Sequence, residues 1–304
     1  MHVSSLRAFE RLLEGGASES DVDRFLGELT PHADKSSYTH QLRLNFSRKG
    51  LFRDQVEWLS NLYASGIAID RHSGSRVAFI FFQGLLDSIG VCAARARLRQ
   101  MNVNCIYLHD DTGMNYLLGV RQCGADFPET IAALLQHIRG FGVDRITTVG
   151  SSAGGFAAIK YALALDAYAS VTFSPFTTFA DDHQRHDGRG KAIIARYKLV
   201  APDELIDLVP LLTRREPALK LVCFYPQDSS LDVWHVQRVK GLRDVFPIAV
   251  NLNSHNILGP LIACGIFETL MRPLAEGSGV KNGVSRVLTG FAQAHRSAGE
   301  RAAQ

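Results

Sequence analysis

The sequence predicts an α/β fold: a mostly parallel, doubly wound sheet with helices on both faces, a cap insertion and an N-terminal helical accessory segment. Three observations lead there. From about residue 75, runs rich in β-branched and aliphatic residues alternate with runs of helical composition. Six of these runs, at 77–82, 103–108, 145–149, 169–173, 219–225 and 248–252, are apolar enough to be strands buried on both faces. One of them enters the corner Gly150-Ser151-Ser152-Ala153-Gly154, and an alanine-rich run leaves it.

The N-terminal part reads differently. Leu6, Phe9, Leu12 and Leu13 share a helical face, as do Val22, Phe25, Leu26 and Leu29, with a break at Gly15-Gly16 between them. Ser18 followed by Asp21 marks the start of the second helix and Pro31 helps to end it. Amphipathic segments at 41–46 and 52–63 complete two helical hairpins, so residues 1–70 are expected to form an accessory segment that is weakly similar to tetratricopeptide hairpins. Such a segment leaves room for a protein partner.

Within the main domain, 75–275, helical runs are expected at 88–100, 128–139, 153–165, 232–243 and 256–272. The interval between the fourth and fifth strands is longer than an ordinary crossover, and the stretch 176–217 within it is placed as a cap. It is rich in cations, among them Arg185, Arg189 and Arg196. The tail, 277–304, offers little to bury beyond a helix around 284–294.

Composition narrows the function classes. Hydrophobic residues make up 46% of the 304 and charged residues 21%, as in an ordinary globular chain, and no apolar run is long enough to cross a bilayer. A net charge of +3, from 33 basic against 30 acidic residues, is too even to argue for nucleic acid or membrane as a partner. The first residues lack a basic head and apolar core, so the expected compartment is the cytoplasm. Five scattered cysteines, Cys92, Cys105, Cys123, Cys223 and Cys264, show neither a disulfide framework nor metal-ligand spacing, and Cys105 and Cys223 fall inside predicted strands.

The chemistry is expected at the Gly150 corner. A serine on a tight strand-to-helix turn, with small residues two positions either side, is exposed for attack, so Ser152 is the candidate nucleophile. A serine hydroxyl needs a base to take its proton and a carboxylate to orient that base. Asp228 follows the fifth strand run, in Pro226-Gln227-Asp228-Ser229-Ser230, and is the preferred acid. Asp232 competes, but it also reads as the N-cap of the helical run after it. His255 follows the last strand run, where the base should stand. Ala153 and the Gln83-Gly84-Leu85 turn, through Gly84 or Leu85, are the candidate backbone donors for an oxyanion.

Two further segments reach the same edge. Tyr116, in the turn after 103–108, and Phe176 and Arg189, after 169–173, are candidate substrate-binding residues. The pair Asp110-Asp111 is read as turn capping rather than as a metal site.

Taken together, the Gly150-Ser151-Ser152-Ala153-Gly154 elbow, Asp228, His255 and the strand order resemble the α/β-hydrolase superfamily over about 75–275, in particular its esterase- and peptidase-like members. Gln83-Gly84 stands where many members carry a His-Gly oxyanion signature. The resemblance implies hydrolysis of an ester or related acyl bond, or acyl transfer to a sugar or other alcohol, on a small-molecule or glycan ester, with no metal or organic cofactor. The competing expectation is a non-catalytic adaptor built on a hydrolase-like scaffold.

Overall fold

The computed structural model describes residues 20, 21, 24, 51–84, 88–180, 185–200, 207–252 and 254–290. The helices expected before residue 47, and with them the tetratricopeptide-like hairpins, lie almost wholly outside the described residues. The fourth expected helix is present as α1, Leu51–Ser65.

From there strands and helices alternate: β1 Ile67–Asp70, β2 Val77–Phe82, α2 Ser88–Arg99, β3 Asn104–Leu108, α3 Phe127–Phe141, β4 Arg145–Ser151, α4 Ala153–Ala164 and β5 Ala169–Phe173. The cap stretch contributes α5, Lys191–Val200, and α6, Leu208–Arg214. After it come β6 Lys220–Pro226, α7 Ser230–Val239, β7 Val245–Val250, α8 Leu258–Ala263 and α9 Ile266–Ala275, with a further helical run at 280–290.

The seven strands form one sheet in the order β1-β3-β2-β4-β5-β6-β7, parallel except for β1, which pairs antiparallel with β3. Two expectations are corrected. β1 was not expected, and the last strand begins at Val245 rather than at 248. Pro247 lies within it, which the edge position allows because one side of an edge strand needs no N–H donor.

Alternation along each strand sorts the core into two faces. In β2, Phe79 and Phe81 join a layer with Trp58, Leu59 and Leu62 of α1 and with Phe267 and Leu270 of α9. Ile80 and Phe82 point the other way, against Leu134 and Ile138 of α3 and Tyr161 of α4. Helix α1 is therefore part of the main core. Its Trp58 ring lies 4.4 Å under the Arg95 guanidinium, which is paired to Asp70 at 2.9 Å. Cys105 and Cys223 are buried, and burial pushes both thiols up to about 12. No helix among the described residues is long and apolar enough to cross a membrane.

Because six strands run parallel, the C-terminal ends of β2, β3, β4, β5, β6 and β7 open onto one edge, the place where such sheets bind ligands.

Candidate active site

Ser152 sits between β4 and α4 with φ 55° and ψ −119°, a conformation that non-glycine residues rarely adopt. The corner closes so tightly that a Cβ on Gly150 would lie 2.0 Å from the Gly154 carbonyl oxygen. One on Gly154 would lie 2.2 Å from the Phe82 carbonyl oxygen. Glycine at both positions thus lets the turn fold on itself and lets α4 start against the end of β2. The Ser152 N–H donates to the Phe173 carbonyl at 2.8 Å, which fastens the corner to β5.

His255 stands in the loop after β7, and its backbone carbonyl accepts from the Ser174 hydroxyl at 2.7 Å. Its Nε2 lies 2.7 Å from Ser152 Oγ. Its Nδ1 lies 2.8 Å from Asp232 Oδ1. Serine, imidazole and carboxylate therefore stand in line, with the Phe176 ring stacked on the imidazole at 6.2 Å.

The carboxylate in that line corrects the preferred acid. Asp228 is exposed, in the turn that follows β6, because the chain turns outward there before α7 begins. Ser229 is the N-cap of α7: its hydroxyl accepts from the Asp232 N–H and donates to Asp232 Oδ2 at 2.5 Å. Asp232 is thus a first-turn residue rather than the cap, and the helix swings it back over the sheet edge into a fully buried position. Burial alone would raise its pKa. The bond to His255, the charges of His255 and Arg189 and the Ser229 hydroxyl outweigh that and hold it below the ordinary value.

Two substrate-binding expectations also change. Tyr116 is buried, and its hydroxyl is 2.9 Å from the Gln83 carbonyl and 2.8 Å from that of Leu108, so it braces the ends of β2 and β3 and presents no surface to a ligand. Arg189 is engaged by two carboxylates, Asp187 at 2.6 Å and Asp232 at 3.0 Å. Phe176 is at the site, though as packing beneath His255 and Arg189. Asp110 caps its own turn, accepting from the N–H groups of Thr112 and Tyr116, both at 3.0 Å.

Ala153 is the first residue of α4, where backbone N–H groups have no partner within the helix. Gly84 is buried at the end of β2, beside the corner, whereas Leu85 lies outside the described residues. The Gln83 side chain is fixed there by donating to the Tyr63 hydroxyl at 2.9 Å and by facing His109 Nδ1 at 3.2 Å. Burial lowers the His109 pKa against the pull of Asp110 and Asp111. A neutral His109 can donate from Nδ1 to the Gln83 side-chain Oε1.

Sequence reasoning passed over Asp187 and His235, both fully buried beside the line. A histidine inside a helical run and an aspartate in a basic stretch carry no periodic signal that would have marked them.

No family model and no curated protein sequence matches the chain. Among solved structures it is similar to MenH from S. aureus at 12% identity and a TM-score of 0.50, over 71% of this chain and 100% of that one. It is also similar, at 9% identity and a TM-score of 0.49, to MGS-MChE2, an alpha/beta hydrolase enzyme from a lagoon-sediment metagenome, over 70% and 94% of the two chains. The capsule O-acetyltransferase of Neisseria meningitidis serogroup A aligns at 14% identity and 0.49, over 68% and 92%.

Proposed function

Because the chain has the α/β-hydrolase fold and carries Ser152, His255 and Asp232 in hydrogen-bonding line at the edge of its sheet, we propose that it is a serine hydrolase that cleaves an ester or related acyl bond. The observation that carries the proposal is the pair of contacts of 2.7 and 2.8 Å on the two nitrogens of one imidazole, with the serine held at a positive φ.

The chemistry follows from those contacts. As Ser152 Oγ attacks the acyl carbon, its proton passes to His255 Nε2, while Nδ1–H stays bonded to Asp232 and the carboxylate offsets the imidazolium charge. The carbonyl oxygen becomes an oxyanion facing the Ala153 N–H and the backbone beside Gly84. Collapse expels the alcohol, which takes the proton from Nε2 and leaves an acyl ester on Ser152. A water then repeats the cycle: it gives a proton to Nε2, attacks the acyl carbon and releases the acid, and Oγ recovers its proton.

A fluorophosphonate probe tests the reading directly. The wild-type chain should be labelled at Ser152, and Ser152→Ala should not be. An unlabelled wild type, or equal labelling of Ser152→Ala, would overturn it. Product analysis with an acyl ester and a competing sugar alcohol then separates hydrolysis from acyl transfer.

A further inference from the structure

A cation lies against the catalytic line. Arg189 Nη1 is 3.0 Å from Asp232 Oδ1 and 2.7 Å from His255 Nδ1. Left alone there, it would act against the proposed reaction in two ways. Its charge would cancel that of Asp232 and oppose the imidazolium, and its N–H would compete for the His255 nitrogen that must carry a proton toward Asp232.

Asp187 answers the effect of the charge, while Nη1 keeps its 2.7 Å approach to His255 Nδ1. The Asp187 carboxylate, fully buried, accepts from Arg189 Nε at 2.8 Å, from Nη2 at 2.6 Å and from the Arg189 backbone N–H at 2.8 Å. Its other neighbour is His235. The Thr177 backbone N–H, which can only donate, points at His235 Nδ1 at 3.1 Å, so the proton of a neutral His235 is on Nε2, 3.3 Å from Asp187 Oδ2. Burial works to protonate Asp187, but the bonds from His235 and Arg189 prevail and hold it charged, well below the usual carboxylate range. Asp187, Arg189 and Asp232 therefore sum to one negative charge, which matches the single positive charge that His255 gains when it takes the serine proton.

We propose that Asp187 is a positioning residue that clamps and neutralises Arg189, so that Asp232 keeps its charge for His255. The inference rests on the serine-hydrolase reading. Among the described residues, the titratable and charged groups at His255 are Asp232 from α7, Arg189 from the cap stretch and Ser152 from the elbow, with Asp187 behind Arg189 and His235 against Asp187; Phe176 brings no charge. Moving one charge at a time therefore gives opposite signs.

The test is the rate at which the full chain reacts with a fluorophosphonate probe, followed across pH. Asp187→Asn removes one of the two carboxylates that hold Arg189, so the rate should fall at least about tenfold and the acidic limb of the profile should move to lower pH by about one unit. Arg189→Gln adds net negative charge and should move that limb to higher pH. The double variant Asp187→Asn/Arg189→Gln restores the charge sum, so its limb should return to within about 0.3 units of wild type, with a rate above that of Asp187→Asn.

A double variant as slow as Asp187→Asn, or limbs that do not move, would reduce these residues to packing and overturn the proposal. If Asp187→Asn does not fold by circular dichroism, Arg189→Gln decides alone: a limb that stays or moves down overturns it. Failure of the underlying reading is distinct, since the wild type would then show no labelling at Ser152.

Discussion

Replacing Asp232 by Asn is the sharpest probe of the proposed catalytic line, because it removes one charge and almost no volume. Both oxygens of Asp232 are acceptors, one toward His255 and Arg189 and the other toward the Ser229 hydroxyl. An asparagine can keep its carbonyl on the first pair and turn its NH2 to Ser229, whose hydroxyl can rotate to accept. Geometry survives and charge does not. At the 2.8 Å separation from His255, losing an opposite unit charge is worth about 6 kcal/mol for an effective dielectric near 20. With about 1.4 kcal/mol per tenfold in rate, that predicts a fall of about four orders of magnitude, the size expected when a triad carboxylate is replaced by its amide. The assay is steady-state hydrolysis of p-nitrophenyl acetate, with circular dichroism as the control for folding. Asp228→Asn, on an exposed turn, should change the rate by less than about twofold. If Asp228→Asn loses more than about a hundredfold while Asp232→Asn keeps a tenth of the wild-type rate, the assignment of the acid is wrong.

Two further predictions concern stability. Gly154→Ala places a Cβ 2.2 Å from the Phe82 carbonyl oxygen and should lower stability by about 3 kcal/mol. Gly140→Ala, near the end of α3, adds a Cβ that meets no described atom within 4 Å and should raise it by about 0.5 to 1 kcal/mol. Thermal melts of the two variants should shift in opposite directions, and a neutral Gly154→Ala would refute the close approach. The depressed carboxylates of Asp187 and Asp232 contribute to the acid response. Groups whose folded pKa lies below the unfolded value of about 3.9 add stability that is present above that value and lost as pH falls through the folded one. The melting temperature should therefore drop below about pH 4, and less steeply in Asp187→Asn; an equal slope in that variant would detach the buried pair from the effect.

The sheet was legible because its strands are buried on both faces and so carry uninterrupted apolar runs, as in Val77–Phe82 and Ala169–Phe173. β1 was not, since Ile67–Asp70 is a four-residue edge strand joined to a helix and offers little periodicity. At the site, the meeting of Ser152 and His255 was expected from local chemistry and chain order. Asp232 was hidden because an acidic residue in a helix's first turn has a local explanation in the capping of that helix, and its reach across the sheet edge is tertiary. Tyr116 misled for a related reason. Its position after a strand suggests a ligand, but a backbone at φ 59° accompanies a side chain buried against the carbonyls of Gln83 and Leu108.

The same contrast bears on how the site is assembled. The sheet alone delivers the proposed nucleophile and base, since Ser152 directly follows β4 and His255 lies in the loop after β7. What tunes them comes from outside it: Asp232 from a helix, Asp187 and Arg189 from the cap stretch, and the Tyr63 hydroxyl that holds Gln83 from α1. Asp232, Asp187 and Arg189 are held by the charges and hydrogen bonds they exchange with one another. Two fully buried aspartates this close to one another are tolerable only while the half-buried Arg189 between them is present. The cap stretch and α7 therefore stabilise one another through the groups that would orient the base, and a change that frees the cap should disorder Asp232 before it disturbs Ser152.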